Sequence, residues 1–487
     1  MKITLKPAQK IHANLSFAHL VKDLPSSHLS EEENAFLANL QKRNPEQLFF
    51  AVPRLGQLVA VILVSKETDP DVRTEECRRA GSKLADQLAE YRTGDCYLAA
   101  GDDVPFEHLT AMAEGLMLAS YRFLPYLTGK NAEKQAFPEI TLHVVHPDAN
   151  QQALDKLTLI VRYTCFARDL VNEPPFTMNA GSFAERIAAE AARLGIRTEI
   201  LGKNRIETLK MGGLLAVNRG SVDPPTFTIL EYLPDNPAND RPVVLVGKGV
   251  IFDTGGMNLK TGSFMDGMKS DKAGAATMAA VTMAVAALQL PVHIVTLIPA
   301  TDNRVDGNAL LPGEVITMHD GTTVEVKNTD AEGRLILADA LSYAKKLKPL
   351  LVIDAATLTG AAMRAIGHYG VVAMEEKARE AMSLLKTSGS EVYERIAEFP
   401  MWKEYDEQLR SDIADVSNLG SGNGGAITAA RFLARFTDFP FIHLDIAGPA
   451  FIEKKEHYAP KGGTGTGVRL LIRFISNFIQ HPSLHKQ

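Results

Sequence analysis

Apolar residues recur along this chain in two rhythms, and the changes from one to the other mark out its elements. Short runs of Val, Ile, Leu and Phe predict strands over 48–53, 58–64 and 140–145. Spacings of three and four predict helices over 31–42, 75–91 and 109–123. Together these make an amino-terminal α/β unit. A long helical pattern runs from Asn150 to Val171 and stops before Pro174-Pro175, which a helix cannot enter. Beyond it, strands are predicted over 197–201, 227–233, 243–246, 292–298, 350–355 and 441–446, with helical patterns over 273–290 and 335–346. Such alternation argues for a mostly parallel sheet flanked by helices. The expected organisation is an α/β chain with a smaller amino-terminal domain over 1–149, a linker helix over 150–172 and a larger domain over 173–487. No internal repeat stands out, and residues 234–240 read as an exposed turn.

Composition narrows the function classes. The chain has 487 residues, 45% hydrophobic and 23% charged, the balance of a soluble globular protein. A net charge of −6 and the lack of a basic tail argue against nucleic acid as a partner. The opening Met1-Lys2-Ile3-Thr4-Leu5-Lys6 has no apolar signal core, and Cys77, Cys96 and Cys165 are scattered, so a cytoplasmic location is expected. The run from Ala273 to Leu290 is apolar but rich in Ala and Thr, with Asp271 and Lys272 at its entrance. It reads as a buried core helix, not a membrane span. There is no His-Glu-x-x-His and no Gly-x-Ser-x-Gly, which removes the common zinc-protease and serine-hydrolase readings. His293 and His443 lie in apolar strand patterns and read as core or supporting residues, and Asp354 and Asp445 end apolar strands.

The candidate chemistry lies on three turns. Asn328-Thr329-Asp330-Ala331-Glu332-Gly333-Arg334-Leu335 places two carboxylates and a guanidinium at alternate positions, which in an extended segment would face one volume. Carboxylates that close repel unless a cation sits between them. A second segment, Val243 to Gly256, runs from an apolar strand into a glycine-rich turn carrying Lys248 and Asp253, with Lys260 following. The third, Met268-Lys269-Ser270-Asp271, leads into the Ala-rich helix. The potential ligands are mostly hard oxygens, which suits Mg²⁺ or Mn²⁺ and tolerates Zn²⁺. Each turn also has a plainer reading. Asp271 could cap a helix, Lys248 could hold a phosphate, and Asp330 with Glu332 could be a solvated turn beside Arg334. All three together would require independent surpluses of charge at three turns.

These segments resemble the signature stretches of the cytosolic dimetal leucyl aminopeptidases. Val246 to Gly256 and Asn328 to Leu335 carry the likeness, with support from 167–175, 354–361, 411–415, 425–430, 443–448 and 463–469. It covers residues 160 to 475 in order, and the first part of the chain shares only its α/β character. The resemblance implies that the larger domain is a metallo-exopeptidase removing the amino-terminal residue of peptides. It implies two divalent metals, Mn²⁺ or Zn²⁺ and possibly Mg²⁺, held by Lys248, Asp253, Asp271, Asp330 and Glu332 and bridged by hydroxide. Asp253 and Glu332 would bridge, and Lys248 would bind as the neutral amine. Arg334 would hold a bicarbonate acting as general base, and Lys260 would polarise the scissile carbonyl. Met268, Thr357 and Ala450 would line the side-chain pocket, and the assembly would be a homohexamer. Lys272 and Ala273 replace the usual Met and Gly, Pro449-Ala450 replaces bulkier residues, and Thr254 replaces a Ser. Some relatives double as DNA-binding factors, so a DNA-binding or regulatory role is the competing expectation.

Overall fold

The computed structural model describes residues 2–12 and 15–485, so Met1 of the amino-terminal stretch lies outside it. The chain divides into two compact units, Met1–Cys165 with Lys454–Lys461, and Phe166–Glu453 with Gly462–Gln487. The helix Gln151–Asn172 is shared between them.

The first unit is built on a six-stranded sheet in the order Ile3–Ala8, Ile140–Val145, Asp95–Ala100, Ser16–Val21, Gln57–Leu63, Phe49–Arg54. All neighbours run parallel except the closing hairpin of Phe49–Arg54 with Gln57–Leu63. Successive side chains of a strand point to opposite faces, and here both faces are covered. Leu58, Ala60 and Ile62 enter one core, while Val59, Val61 and Leu63 enter the other. The helices follow local signals. Glu31–Arg43 begins at a reciprocal cap between Ser30 and Glu33. Pro70–Tyr91 starts five residues before its predicted position because Asp69 accepts from the Asp71 amide and Pro70 occupies the first turn.

The second unit carries a nine-stranded sheet. Its main path runs Ile396–Glu398, Val371–Glu376, Phe441–Asp445, Leu351–Ala356, Val243–Gly247, Ile294–Asn303, Thr226–Tyr232, Arg197–Leu201. The four middle strands, Phe441–Asp445 to Ile294–Asn303, are parallel, as the alternating pattern implies, and antiparallel pairs flank them. Ile294–Asn303 extends five residues past its predicted end. Its Pro299 stands where the strand leaves Val243–Gly247 and pairs instead with Gly249–Asp253. The predicted glycine-rich turn therefore contains a strand, and Lys248 alone interrupts the chain between two strands. The helix Ala273–Ala287 is buried on every side, and no helix among the described residues is long and apolar enough to cross a membrane. The helix packs on Val243–Gly247 and Leu351–Ala356, and a Cβ on Gly274 would stand 2.0 Å from the Ala355 carbonyl. This close approach brings the helix start down to the carboxyl ends of the central strands, where an open α/β sheet leaves a crevice.

Candidate metal centre

A cleft of about 870 Å³ opens at these strand ends, lined by Lys248, Asp253, Lys260, Met268, Asp271, Asp330, Glu332, Arg334, Thr357 and Ala450. All ten residues singled out from the sequence thus meet in one place, although the route differs from the expected one. The strand Thr323–Glu325 belongs to a separate three-stranded sheet with Val315–Thr317 and Val416–Ser417. Asp330 and Glu332 therefore arrive from outside the main sheet. Nor is their segment extended. Asp330 sits in a turn closed by its own amide donating to Asn328 Oδ1 at 2.7 Å, and Glu332 is already helical (φ −75°, ψ −37°) where Gly333–Ala344 begins. Asp271 lies in the 3₁₀ turn Met268–Lys272 and is not the cap of the following helix, a position taken by Lys272 without a side-chain bond.

Hydrogen bonds fix each segment that carries a residue of the cluster. The Lys248 amide donates to Ala355 O at 3.1 Å, and Lys248 O accepts from Ala275 N at 2.9 Å, pinning the break between strands to a neighbouring strand and to the helix start. Asp253 Oδ1 accepts from the Gly255 amide and from Asn303 Nδ2, both at 2.8 Å. The loops bearing Asp253 and Asp330 are tied by Asn258 and Thr329, whose amides each donate to the other's side chain at 2.8 Å. Asn418 accepts from Lys327 N at 2.8 Å and donates to Asn328 O at 2.7 Å. Asp445 accepts from Thr359 Oγ1 at 2.7 Å, holding the loop whose Thr357 donates to Asp271 Oδ1 at 2.7 Å. Below, His443 Nδ1 and Asp354 Oδ1 stand 2.5 Å apart, both fully buried. The supporting roles of Asn303 and Asn418 have no sequence signal, because their partners are 26 to 91 residues away.

Lys248 Nζ lies 2.8 Å from Asp271 Oδ1 and 2.9 Å from Glu332 Oε1, and donates to Thr357 O at 2.9 Å. Lys260 Nζ lies 2.7 Å from Asp253 Oδ2 and 2.5 Å from Asp330 Oδ1. One oxygen from each of Asp253, Asp330 and Glu332 falls within 4.8 Å of the others. Burial raises Glu332 to about 8, with Asp253 adding to the rise, and raises Asp271 to about 6 against the pull of Lys248. Burial works to lower the Lys248 amine, but Asp271, Glu332 and Asp253 outweigh it and hold it above the ordinary lysine range. Arg334 is pushed down to about 10 by burial, and its Nη1 donates to Asn418 O at 2.7 Å. Lys272 is fully buried and donates to the Lys269 and Glu173 carbonyls. Burial, then the neighbouring Lys269, lowers its amine to about 7.

These residues fit divalent cations. Among the described residues, Asp271 Oδ2 and Glu332 Oε2 are buried oxygens with no hydrogen-bond partner, and Arg334 Nε is a buried donor without one. Asp253, Asp271, Asp330 and Glu332 thus gather carboxylate oxygens in a largely buried site where only Lys248 and Lys260 pair with them, a hard-oxygen donor set that suits divalent cations.

Comparison with known proteins agrees with the geometry. The catalytic-domain model of the cytosol aminopeptidase family matches residues 165–472. A probable cytosol aminopeptidase of Geobacter sp. (strain M21) is 40% identical over 428 residues, covering 86% of this chain and 87% of the relative. One from Chlorobium limicola is 45% identical over 381 residues, 76% of this chain and 75% of the relative. Among solved structures, the bottromycin maturation enzyme BotP in complex with Mn superposes with a TM-score of 0.84 at 30% identity, over 96% of this chain and 100% of that one. A tomato leucine aminopeptidase mutant gives a TM-score of 0.84 at 25% identity, over 98% of this chain and 96% of its own. With the matched region enclosing every residue of the cleft, the chain belongs to the cytosol aminopeptidase family and is a metallo-exopeptidase hydrolase.

Proposed function

We propose that this chain removes amino-terminal residues from peptides through a two-metal centre held by Lys248, Asp253, Asp271, Asp330 and Glu332. The supporting observation is the convergence of Asp253, Asp330 and Glu332 oxygens within 4.8 Å, beside carboxylate oxygens buried without partners. Two divalent ions, Mn²⁺ or Zn²⁺ with Mg²⁺ a further option, would supply Lewis acidity and a water acidified toward neutral pH. Lys248 would serve as the uncharged amine, since a nearby dication favours loss of its proton. Lys260, paired with Asp253 and Asp330 at the cleft, would carry its positive charge to the scissile carbonyl oxygen as negative charge develops there. Arg334 would hold bicarbonate through its partnerless Nε, placing a proton acceptor beside the reacting water and a donor for the departing amine. Met268, Thr357 and Ala450 would receive the amino-terminal side chain. A cytoplasmic homohexamer is the assembly that the family likeness supports.

The test is metal analysis joined to turnover. Glu332→Ala and Asp253→Ala, each refilled with Mn²⁺, should lose bound metal and at least about a thousandfold in kcat/KM on aminoacyl amides, while the far-ultraviolet spectrum stays unchanged. Near-normal turnover by a folded, metal-analysed variant would sink the ligand assignment.

A further inference from the structure

Arg364 lines the same cleft as the carboxylate cluster and stands on the short helix Gly360–Ile366. Its guanidinium folds back over Gly360, with Nη1 3.0 Å from where a Cβ on that glycine would be. The side chain is exposed, and among the described residues no carboxylate pairs with it. The four acidic residues lining the cleft cannot serve, since Asp271 and Glu332 are paired with Lys248, and Asp253 and Asp330 with Lys260. A planar, permanently charged fork is suited to a carboxylate, which here must come from the ligand.

We propose that Arg364 binds a carboxylate on the departing part of the substrate, selecting short peptides or peptides with an acidic second residue. The inference rests on the aminopeptidase reading of this site. Its assignment to the departing part belongs to the proposal, which gives the uncharged Met268, Thr357 and Ala450 to the amino-terminal side chain. In a dipeptide the terminal carboxylate lies one residue past the scissile bond, and each added residue moves it by up to about 3.5 Å. The preference should therefore fade as the peptide lengthens.

The experiment uses the full chain refilled with Mn²⁺ and, as amino-terminal residue X, whichever a panel of aminoacyl amides shows to be best. Two substrate pairs are compared by kcat/KM. X-Ala against X-Ala-NH₂ reports the terminal carboxylate, and X-Asp-NH₂ against X-Asn-NH₂ reports an acidic side chain. In the unaltered protein at least one pair should favour the charged member by about tenfold. Arg364→Ala should bring that ratio to about one, and Arg364→Lys should leave it between. The pair that responds identifies the source of the carboxylate. Active protein whose two ratios are untouched by Arg364→Ala overturns the inference alone. An unaltered, metal-loaded protein inert toward the whole panel of aminoacyl amides and toward all four substrates overturns the aminopeptidase reading and the inference with it. One active on the panel but inert toward the charged member of both pairs overturns the inference alone.

Discussion

Gly333 shows how closely single residues are matched around the candidate metal centre. A Cβ at this position would stand 2.5 Å from Lys248 Cε, so only glycine lets the lysine pass between Asp271 and Glu332. Gly333→Ala should shift Lys248 and lower turnover by about a hundredfold, measured on protein of verified metal content. Asp339 tests burial on the same helix. It is fully buried, accepts from the Leu214 and His319 amides at 2.9 Å, and is pushed up to about 7 by burial, those bonds opposing. Its carboxyl holds its proton in the folded chain well above the unfolded value of about 3.9. That contribution to stability is complete below about pH 4 and is lost as pH rises toward about 7. Chemical denaturation across this window should show Asp339→Asn flattening the decline. That these ten residues share one cleft is legible from charge-rich turns and family likeness. Their mutual geometry is not, because a turn at Asp330 and a helical Glu332 replace the extended alternation that the spacing suggests.

Elements are legible where one signal dominates. The helix Glu31–Arg43 matches its predicted span almost to the residue because Ser30 and Glu33 cap it reciprocally. Ser30→Ala should cost about 1 kcal/mol, read from denaturant midpoints. The strands Ile3–Ala8, Ser16–Val21 and Asp95–Ala100 leave a weaker trace. Lys6 and His19 interrupt two of these short parallel strands and Asp95 opens the third, and their burial comes from distant partners. The far end of Ile294–Asn303 is hidden for a different reason. Proline ordinarily ends a strand, and only the exchange of partners at Pro299 permits it here. Helix-to-sheet contact sets a further limit. Gly274→Val would drive a branched side chain into the Ala355 carbonyl and should destabilise the second unit by about 3 kcal/mol or more, seen as a lowered Tm.

For the molecule as a whole, the alternation of strands and helices is enough to predict the α/β class and the mostly parallel sheet. The membership of the two units is not evident from it, because residues 454–461 join a body formed by the first 165. Tyr458 donates to Glu75 Oε2 at 2.9 Å and packs on the core of that unit, and Lys455 pairs with Asp86. Chain order therefore conflicts with completion order. During synthesis, an emerging amino-terminal third must wait for nearly the entire polypeptide before Glu75 meets its tyrosine. The nascent first unit is thus a state that translation prolongs, and pausing between residues 165 and 454 would lengthen its exposure.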